Sequence, residues 1–282
     1  MNQKSTYQPP RIFGIHANPG AKLRLLLVAL PFVILLISYF TASHFRHQEN
    51  SRDKLLPTMS QMVDAVDRMA FQEDVRTGRY LMAEDTLSSL KRLLTGVLLA
   101  AIAGLFTGVV LGLFPGFSIM LNPFLTFIAM IPPLAILPIL FIAAGIGEAA
   151  KITLIFIGIF PIIARDTRLA VLKLPGEQIT KALTLGASQL QIAWRITLPQ
   201  VLPRLLDTIR LSLGAAWLFL IAAEAIAADS GLGYRIFLVR RYLAMDVIIP
   251  YVLWITLLGF LMDLGLRHVV KLAFPWYQGA RE

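Results

Sequence analysis

Six long apolar segments, separated by charged loops, limit the fold of this sequence more than any other feature. A helix needs about 20 mostly apolar residues to cross the hydrocarbon core of a bilayer. The segments near that length are 23–42, 93–114, 119–144, 152–164, 205–228 and 247–266. The fourth is the shortest, and Pro161 interrupts it. We therefore predict an all-α polytopic membrane protein with about six transmembrane helices.

The composition agrees with a membrane protein and excludes several other classes. Of the 282 residues, 57% are hydrophobic and the mean hydropathy is +0.70, which is too apolar for an ordinary soluble domain. The net charge is +9, but the basic residues are dispersed between apolar segments and do not form the clustered face that nucleic-acid binding needs. Cysteine is absent, which excludes disulfides, thiolate metal sites and cysteine nucleophiles.

The first apolar segment is predicted to be a retained membrane anchor and not a signal peptide. Its polar leader of 22 residues is long, and its apolar run exceeds the roughly 7–15 residues of a signal-peptide core. The loop 165–204 holds six Lys and Arg residues, and loops rich in these residues lie in the cytoplasm. With six spans, both termini are then predicted to be cytoplasmic as well. The loop 41–92 holds eight basic residues beside eight acidic ones, so the orientation depends mainly on 165–204.

An amphipathic helix is predicted within the loop 41–92. Its apolar residues recur at helical spacing, and they are Met59, Met62, Val63, Val66, Met69 and Ala70. Such a helix lies either on the outer membrane face or against the helical bundle. Packing against the protein itself is the simpler interpretation, because methionines at helical spacing usually fill irregular contacts.

The loop 165–204 has strong local signals for a first short helix. Pro175 precedes it, Glu177 lies in its first turn where the helix dipole favours an acid, and Gly186 follows its end. Glycine at that position tolerates the left-handed conformation that commonly ends a helix. The loop is therefore expected to bend sharply at Gly186.

A second short helix is predicted after the bend. Ser188 and Gln191 match the capping-box pattern at a helix start. Pro199 and Pro203 are expected to end it, because proline lacks an amide hydrogen and clashes with the preceding turn. Both helices are too short to be stable alone in water, so they must pack on the chain or on a soluble partner.

This loop resembles the cytoplasmic loop of permease subunits of bacterial ATP-binding-cassette (ABC) importers. Gly186, Ile196, Leu198 and Pro199 match the G-x9-I-x-L-P core of that loop. The resemblance implies docking on a separate ATP-hydrolysing subunit through Thr180, Lys181, Ala182, Gly186, Ala187, Ser188, Ile196, Leu198 and Pro199. The family's Glu-Ala-Ala is Thr180, Lys181, Ala182 here, so a salt bridge from that glutamate is not expected.

Three further stretches, 56–66, 131–152 and 212–236, are similar to the nitrate, sulfonate and taurine group of these permeases. The resemblance implies the type I importer permease fold in a bacterial inner membrane, among membrane lipid. It also implies two ATP-binding subunits, a second permease copy that is expected to be identical, and a periplasmic or lipid-anchored solute-binding protein. The expected solute is small, either sulfonate-, taurine- or nitrate-like, or a nitrogen compound related to urea or guanidine.

The expected organisation has four parts. Residues 1–50 form an N-terminal tail and the first transmembrane helix, and 51–92 form a periplasmic segment with the amphipathic helix. Residues 93–276 form the core permease domain, which includes the 165–204 loop, and 277–282 form a tail.

Four residues are candidates for the translocation pathway: Pro132, Pro133, Glu224 and Arg235. The prolines remove backbone donors, so the third segment should face protein or a cavity, with a kinked packing helix as the alternative. Glu224 lies well inside a predicted span, where a charge costs on the order of 3 kcal/mol. It is expected beside the pathway at a subunit interface, or else tied to nearby backbone or to Arg235.

The sequence carries no motif for catalysis, for a metal or for a cofactor. The phosphate-binding G-x4-G-K-[ST] and the zinc-binding H-E-x-x-H patterns are both absent, so ATP hydrolysis is expected on a separate chain. The alternative function is a self-sufficient secondary transporter or channel. Such proteins commonly contain repeats with matched broken helices, whereas the prolines here are concentrated in the third segment.

Overall fold

The computed structural model describes residues 19–50, 53–75 and 78–280, and this part of the chain contains helices and no strands. The all-α prediction is therefore confirmed. The helices are α1 (Ala21–Glu49), α2 (Met59–Val66), α3 (Leu81–Leu113), α4 (Pro115–Ala129), α5 (Leu137–Ala144), α6 (Glu148–Leu172), α7 (Gly176–Thr184), α8 (Gln189–Gln191), α9 (Leu198–Ile226), α10 (Leu232–Arg240) and α11 (Met245–Ala273). The chain divides into two compact units between Gln61 and Met62. Most of the predicted N-terminal tail and the last two residues lie outside the described residues.

The first unit is built on α1, and none of the 18 residues in the most apolar stretch of this helix is buried. The chain that follows folds back along the end of this helix. The Tyr39 hydroxyl donates to the Pro57 carbonyl at 2.7 Å, and Arg46 pairs with Asp53 at 2.6 Å. A side-chain surface this apolar and exposed suits contact with lipid.

Within the described residues, four helices are long and apolar enough to cross a membrane. They are α1, α3, the continuous helix Gln189–Ile226 and α11. The pair Pro115–Ala129 and Pro133–Ala144 is also long and apolar enough when its two helices are taken together, but it is bent by 81°. The number of spans is therefore four, or five if this pair is one span. The sequence prediction of about six transmembrane helices differs from this number because of the third and fourth apolar segments.

The third apolar segment, predicted as a single span over 119–144, is not one continuous helix but the bent pair, which forms one broken span when five spans are counted. α4 ends at Ala129, and a 3₁₀ turn, Pro133–Ile136, separates it from α5. Pro132 is extended, with φ −63° and ψ 118°. Consecutive prolines cause the break, because each removes an amide donor and disfavours helical backbone in the preceding residue.

The fourth apolar segment lies within α6, which is the central helix of the second unit. Leu154, Ile155, Ile159 and Ile163 on this helix are all fully buried. Any 18 consecutive residues of α6 include at least three charged ones, so its composition is too polar for a helix surrounded by lipid. A helix enclosed by protein need not be apolar throughout, since its neighbours replace lipid around it.

Glycines bring α3 into close contact with α6. The contacts pair Gly96 with Ile155, Gly104 with Ile163, Gly108 with Thr167 and Gly112 with Val171. A Cβ added at any of these glycines would approach the facing side chain to 2.5–2.8 Å. Small residues allow such close backbone approach between membrane helices. α3 and α6 therefore pack as one body along most of their length.

The predicted amphipathic helix forms over its length, but only part of its apolar face packs on the protein. α2 ends at Val66 and continues as a π-helical turn, Asp67–Phe71. Ala65, Met69 and Ala70 pack against the core of the second unit, as the interpretation of packing on the protein itself requires. Met59 and Val63, also predicted on the packed face, are 56% and 61% exposed.

Candidate functional site

The loop between α6 and α9, residues 173–197, forms a bent structure with an exposed tip. α7 has no buried residue, and Gly186 after it has φ +82°. Ser188 and Gln191 form the predicted capping box: Ser188 N donates to Gln191 Oε1 at 2.8 Å, and Gln191 N donates to Ser188 Oγ at 3.3 Å. The first helix, the bend and the helix start lie where the sequence predicts them.

The second helix of the loop is not a separate element, so the prediction that Pro199 and Pro203 end it is wrong. α8 continues through a π-helical turn, Ile192–Thr197, into α9. Pro199 lies in the first turn of α9, where its missing amide hydrogen is best tolerated. The wider π turn before it accommodates the ring, and the side-chain amide of Gln200 donates to the Ile196 carbonyl at 3.0 Å.

The base of this loop is fixed to the helical bundle, whereas its tip is exposed. Asp166 on α6 accepts two hydrogen bonds from Arg204 on α9, at 2.7 and 2.8 Å, and a third from Thr208. At the tip, Leu185 is 87% exposed and Trp194 is 63% exposed. A displacement of the tip would therefore act directly on α6 and α9.

A buried ion cluster lies at the other end of α6 and α9. We use this name for Asp85, Ser89, Arg92, Glu224 and Arg235, together with Glu148 at its edge, whose side chain is 58% exposed. α6 runs from Glu148 in the cluster to the start of the loop, a distance of about 37 Å for its 25 residues. The cluster and the loop are thus joined by α6 and α9.

The ion cluster caps the N-terminus of α10 with side chains from other helices. Gly231 N donates to Asp85 at 2.9 Å, Leu232 N donates to Ser89 at 2.8 Å, and Gly233 N donates to Glu224 at 2.9 Å. The first amides of a helix have no partners within it and carry the positive end of its dipole. Three hydrogen bonds therefore hold the start of α10 on α3 and α9.

Glu224 is fully buried inside the chain. Its carboxylate accepts from Arg92 at 2.7 Å, from Ser89 at 2.8 Å and from the Gly233 amide. Gly231 has φ +127°, and a Cβ there would approach the Glu224 carboxylate to 2.5 Å. The cation that pairs with Glu224 is Arg92 and not Arg235, and the backbone tie is Gly233. The placement of Glu224 beside a translocation pathway stays a prediction.

Arg92 joins three helices through its guanidinium group. It donates to Glu224 on α9, to Glu148 on α6 at 2.5 and 2.8 Å, and to the Ser230 carbonyl at 2.7 Å. Glu148 also pairs with Lys151 at 3.0 Å. The Arg92 side chain is only 5% exposed, so its charge is balanced by protein groups and not by water.

Arg235, a predicted pathway residue, is paired with a buried carboxylate. Its Nε donates to Asp85 at 2.8 Å, and the Tyr251 hydroxyl donates to the same oxygen at 3.2 Å. Asp85 neutralises Arg235, so this arginine is a weak source of attraction for anions. Pro132 and Pro133 lie at the break between α4 and α5.

The sequence prediction missed Asp85, Ser89 and Arg92. They fall in the predicted loop 51–92, but α3 begins at Leu81 and includes them. The signal was their spacing of i, i+4 and i+7, which places three polar groups on one helical face. Among the described residues, no group of three or more His, Cys, Asp or Glu side chains could hold a metal ion.

Comparison with known proteins gives consistent matches. Residues 80–273 match the family described as the binding-protein-dependent transport system inner membrane component. The chain is 37% identical to the Escherichia coli taurine transport system permease protein TauC over 190 residues, which cover 67% of this chain and 69% of TauC. It is 30% identical to an ABC transporter permease protein of Methanocaldococcus jannaschii over 93% of this chain and 96% of that protein.

Further similarity extends to another solute class and to a solved structure. The bicarbonate transport system permease protein CmpB of Synechocystis is 34% identical over 67% of this chain and 68% of CmpB. A chain of the inward-facing MetNI methionine ABC transporter superposes with a TM-score of 0.61 at 22% identity. This match covers 68% of this chain and 95% of the MetNI chain, and it shows a shared fold.

Proposed function

Because this chain belongs to the binding-protein-dependent transport system inner membrane component family and is an ABC transporter permease subunit, we propose that its 173–197 loop couples an importer to a separate ATP-binding subunit. One observation carries this proposal. The loop has an exposed, bent tip, but its base is continuous with α9 and is tied to α6 by the Asp166–Arg204 pair. Contact at the tip can thus move the core helices.

The proposed complex contains two copies of this permease and two ATP-binding subunits. A two-fold arrangement of identical permease copies is the commonest symmetry for such a pair. A periplasmic or lipid-anchored solute-binding protein delivers the solute. The complex lies in a bacterial inner membrane with both permease termini in the cytoplasm, and ATP hydrolysis takes place on the ATP-binding subunits.

Within this complex, the broken segment at Pro132 and Pro133 lines the translocation pathway. Its non-helical backbone supports this assignment, because such backbone is tolerated at membrane depth only in protein or beside water. Glu224 and Arg235 act from behind the pathway wall. Their buried pairs fix the start of α10 against α3 and α9 and so shape the pathway without contacting the solute.

The solute is proposed to be a small sulfonate-, taurine- or nitrate-like compound. Relatives named for taurine, for bicarbonate and for aliphatic sulfonates support a small solute that carries an oxyanion. A nitrogen compound related to urea or guanidine is the second candidate. Thermal-shift screening of the associated solute-binding protein against both groups would decide between them.

Purification of the complex tests the proposed function. We expect the ATP-binding subunit to co-purify with this chain in equal number, and the reconstituted complex to take up solute only with ATP and the solute-binding protein. Uptake by this chain alone in ATP-free vesicles would instead identify a self-sufficient carrier, and would contradict the proposal.

A further inference from the structure

The tip of the 173–197 loop carries an excess of positive charge. Between Lys173 and Arg195 there are three basic residues, Lys173, Lys181 and Arg195, against the single acid Glu177, which gives a net charge of +2. The ionic contacts of the loop base, such as Asp166 with Arg204, lie outside this stretch. A partner of this tip therefore meets a surface that is basic on balance.

Lys181 is the basic residue that this tip presents on its exposed helix. It lies in the last turn of α7, and its side chain is exposed. Within the described part of the chain, no carboxylate lies within ion-pair distance of its ammonium group. Glu177 is one turn earlier on α7, at the spacing that favours a pair, yet the two do not pair.

α7 is supported by the rest of the chain on one side only. It has nine residues, none of them buried, and helices of this length are not stable alone in water. Ile179 and Ala182 are half-buried and face the protein, whereas Glu177, Thr180, Lys181 and Thr184 are exposed. The exposed face is therefore mostly polar, with Leu183 50% exposed beside it, and it carries the Lys181 cation without an ionic partner. An interface that excludes water from this face must supply the matching charge.

We propose that the ATP-binding subunit receives α7 in a cleft that carries a carboxylate facing Lys181. This inference depends on the proposed function, because it names the chemistry of the same docking contact. Charges across an interface are arranged to be complementary, and like charges placed together are strongly unfavourable. The pair fixes which ATP-binding subunit this permease accepts, because a basic cleft would repel Lys181.

Charge reversal at Lys181 tests the inference in the assembled complex. For Lys181→Glu we expect the affinity for the ATP-binding subunit to fall about tenfold or more, while Lys181→Arg stays close to the wild type. The matched control is Lys271→Glu, since Lys271 is also exposed in the last turn of a helix. It lies toward the same end of the molecule, because Asp263 on α11 pairs with Arg210 in the first half of α9, and Lys271 is two turns further along α11.

A rescue experiment locates the opposing group. Acidic residues lining the cleft of the ATP-binding subunit are changed to lysine one at a time in the presence of Lys181→Glu. One of them should restore the affinity, and wild-type affinity should fall as salt rises, since salt screens exposed charges. Unchanged affinity of Lys181→Glu at low salt, or failure of every cleft substitution to restore it, would overturn the inference. Absence of any binding by the wild type would overturn the proposed function instead.

A lysine in the last turn also stabilises a helix through its dipole, and the experiment separates that role. Loss of helix stabilisation would weaken binding equally with every cleft variant. Restoration by one cleft lysine alone requires a direct contact.

Discussion

Replacing Gly186 with valine is expected to release the ATP-binding subunit while leaving the chain inserted in the membrane. Gly186 has φ +82°, and no atom lies within 4 Å of the place where a Cβ would be added. The effect therefore comes from backbone conformation and not from a clash with neighbours. The left-handed conformation costs a residue with a side chain about 1–2 kcal/mol, and a β-branched side chain suits it least.

The valine relieves that strain by changing the backbone, which moves α7 relative to α9. An interface that depends on a fixed loop shape loses affinity when the shape changes, so we expect at least a tenfold loss of ATP-binding-subunit affinity and of ATP-driven uptake. Gly265→Val is the control, because Gly265 also has open space around it but has no positive φ. Wild-type binding and uptake by Gly186→Val would contradict the role of this bend.

Replacing Glu224 with alanine is expected to be strongly destabilising. The substitution removes the acceptor for Arg92 and Ser89 in the buried ion cluster and for the Gly233 amide at the start of α10. Removing one partner of a buried ion pair typically costs about 3–5 kcal/mol. Arg92 keeps Glu148 as a partner, so we expect about 3 kcal/mol, or a fall in Tm of roughly 6–12 °C in detergent.

Two further variants show whether the loss of stability is specific to Glu224 and whether Glu224 also has a role in transport. Asp229→Ala removes an exposed acid from the same end of α9 and should leave Tm nearly unchanged. Glu224→Gln keeps the size of the side chain and part of its hydrogen bonding. If Glu224 only supports the fold, transport by both Glu224 variants follows their stability. A stable Glu224→Gln complex without transport would favour a place beside the pathway, and a wild-type Tm for Glu224→Ala would contradict the cluster's structural role.

The features that the sequence predicts correctly are local ones. The bend at Gly186 and the capping box of Ser188 and Gln191 each depend on residues within a few positions of one another. Backbone sterics and short hydrogen bonds determine such features, so surrounding structure changes them little. The long apolar helices α3, α9 and α11 were likewise predictable from length and composition.

The features that were missed depend on contacts between distant parts of the chain. Arg92 and Glu224 are 132 positions apart, so no local pattern joins them. α3 extends back to Leu81 because its early polar residues are paired in the bundle, although they read as a loop. Pro199 does not end the helix, because the π turn and the buried residues Ile192 and Thr197 keep the chain helical up to the start of α9. Tertiary contacts overrode a local preference in each case.

The central claim is that the 173–197 loop faces the cytoplasm as the docking surface for a separate ATP-binding subunit. The natural sequence has no cysteine, so a single Gln189→Cys variant reports on one exposed position at the loop tip. Asp229→Cys, beyond the other end of α9, is its counterpart. With a membrane-impermeant thiol reagent, we expect labelling of Asp229→Cys in intact cells. Labelling of Gln189→Cys should need permeabilised membranes and should be slowed by the bound ATP-binding subunit. Labelling of Gln189→Cys from outside intact cells would contradict the claim.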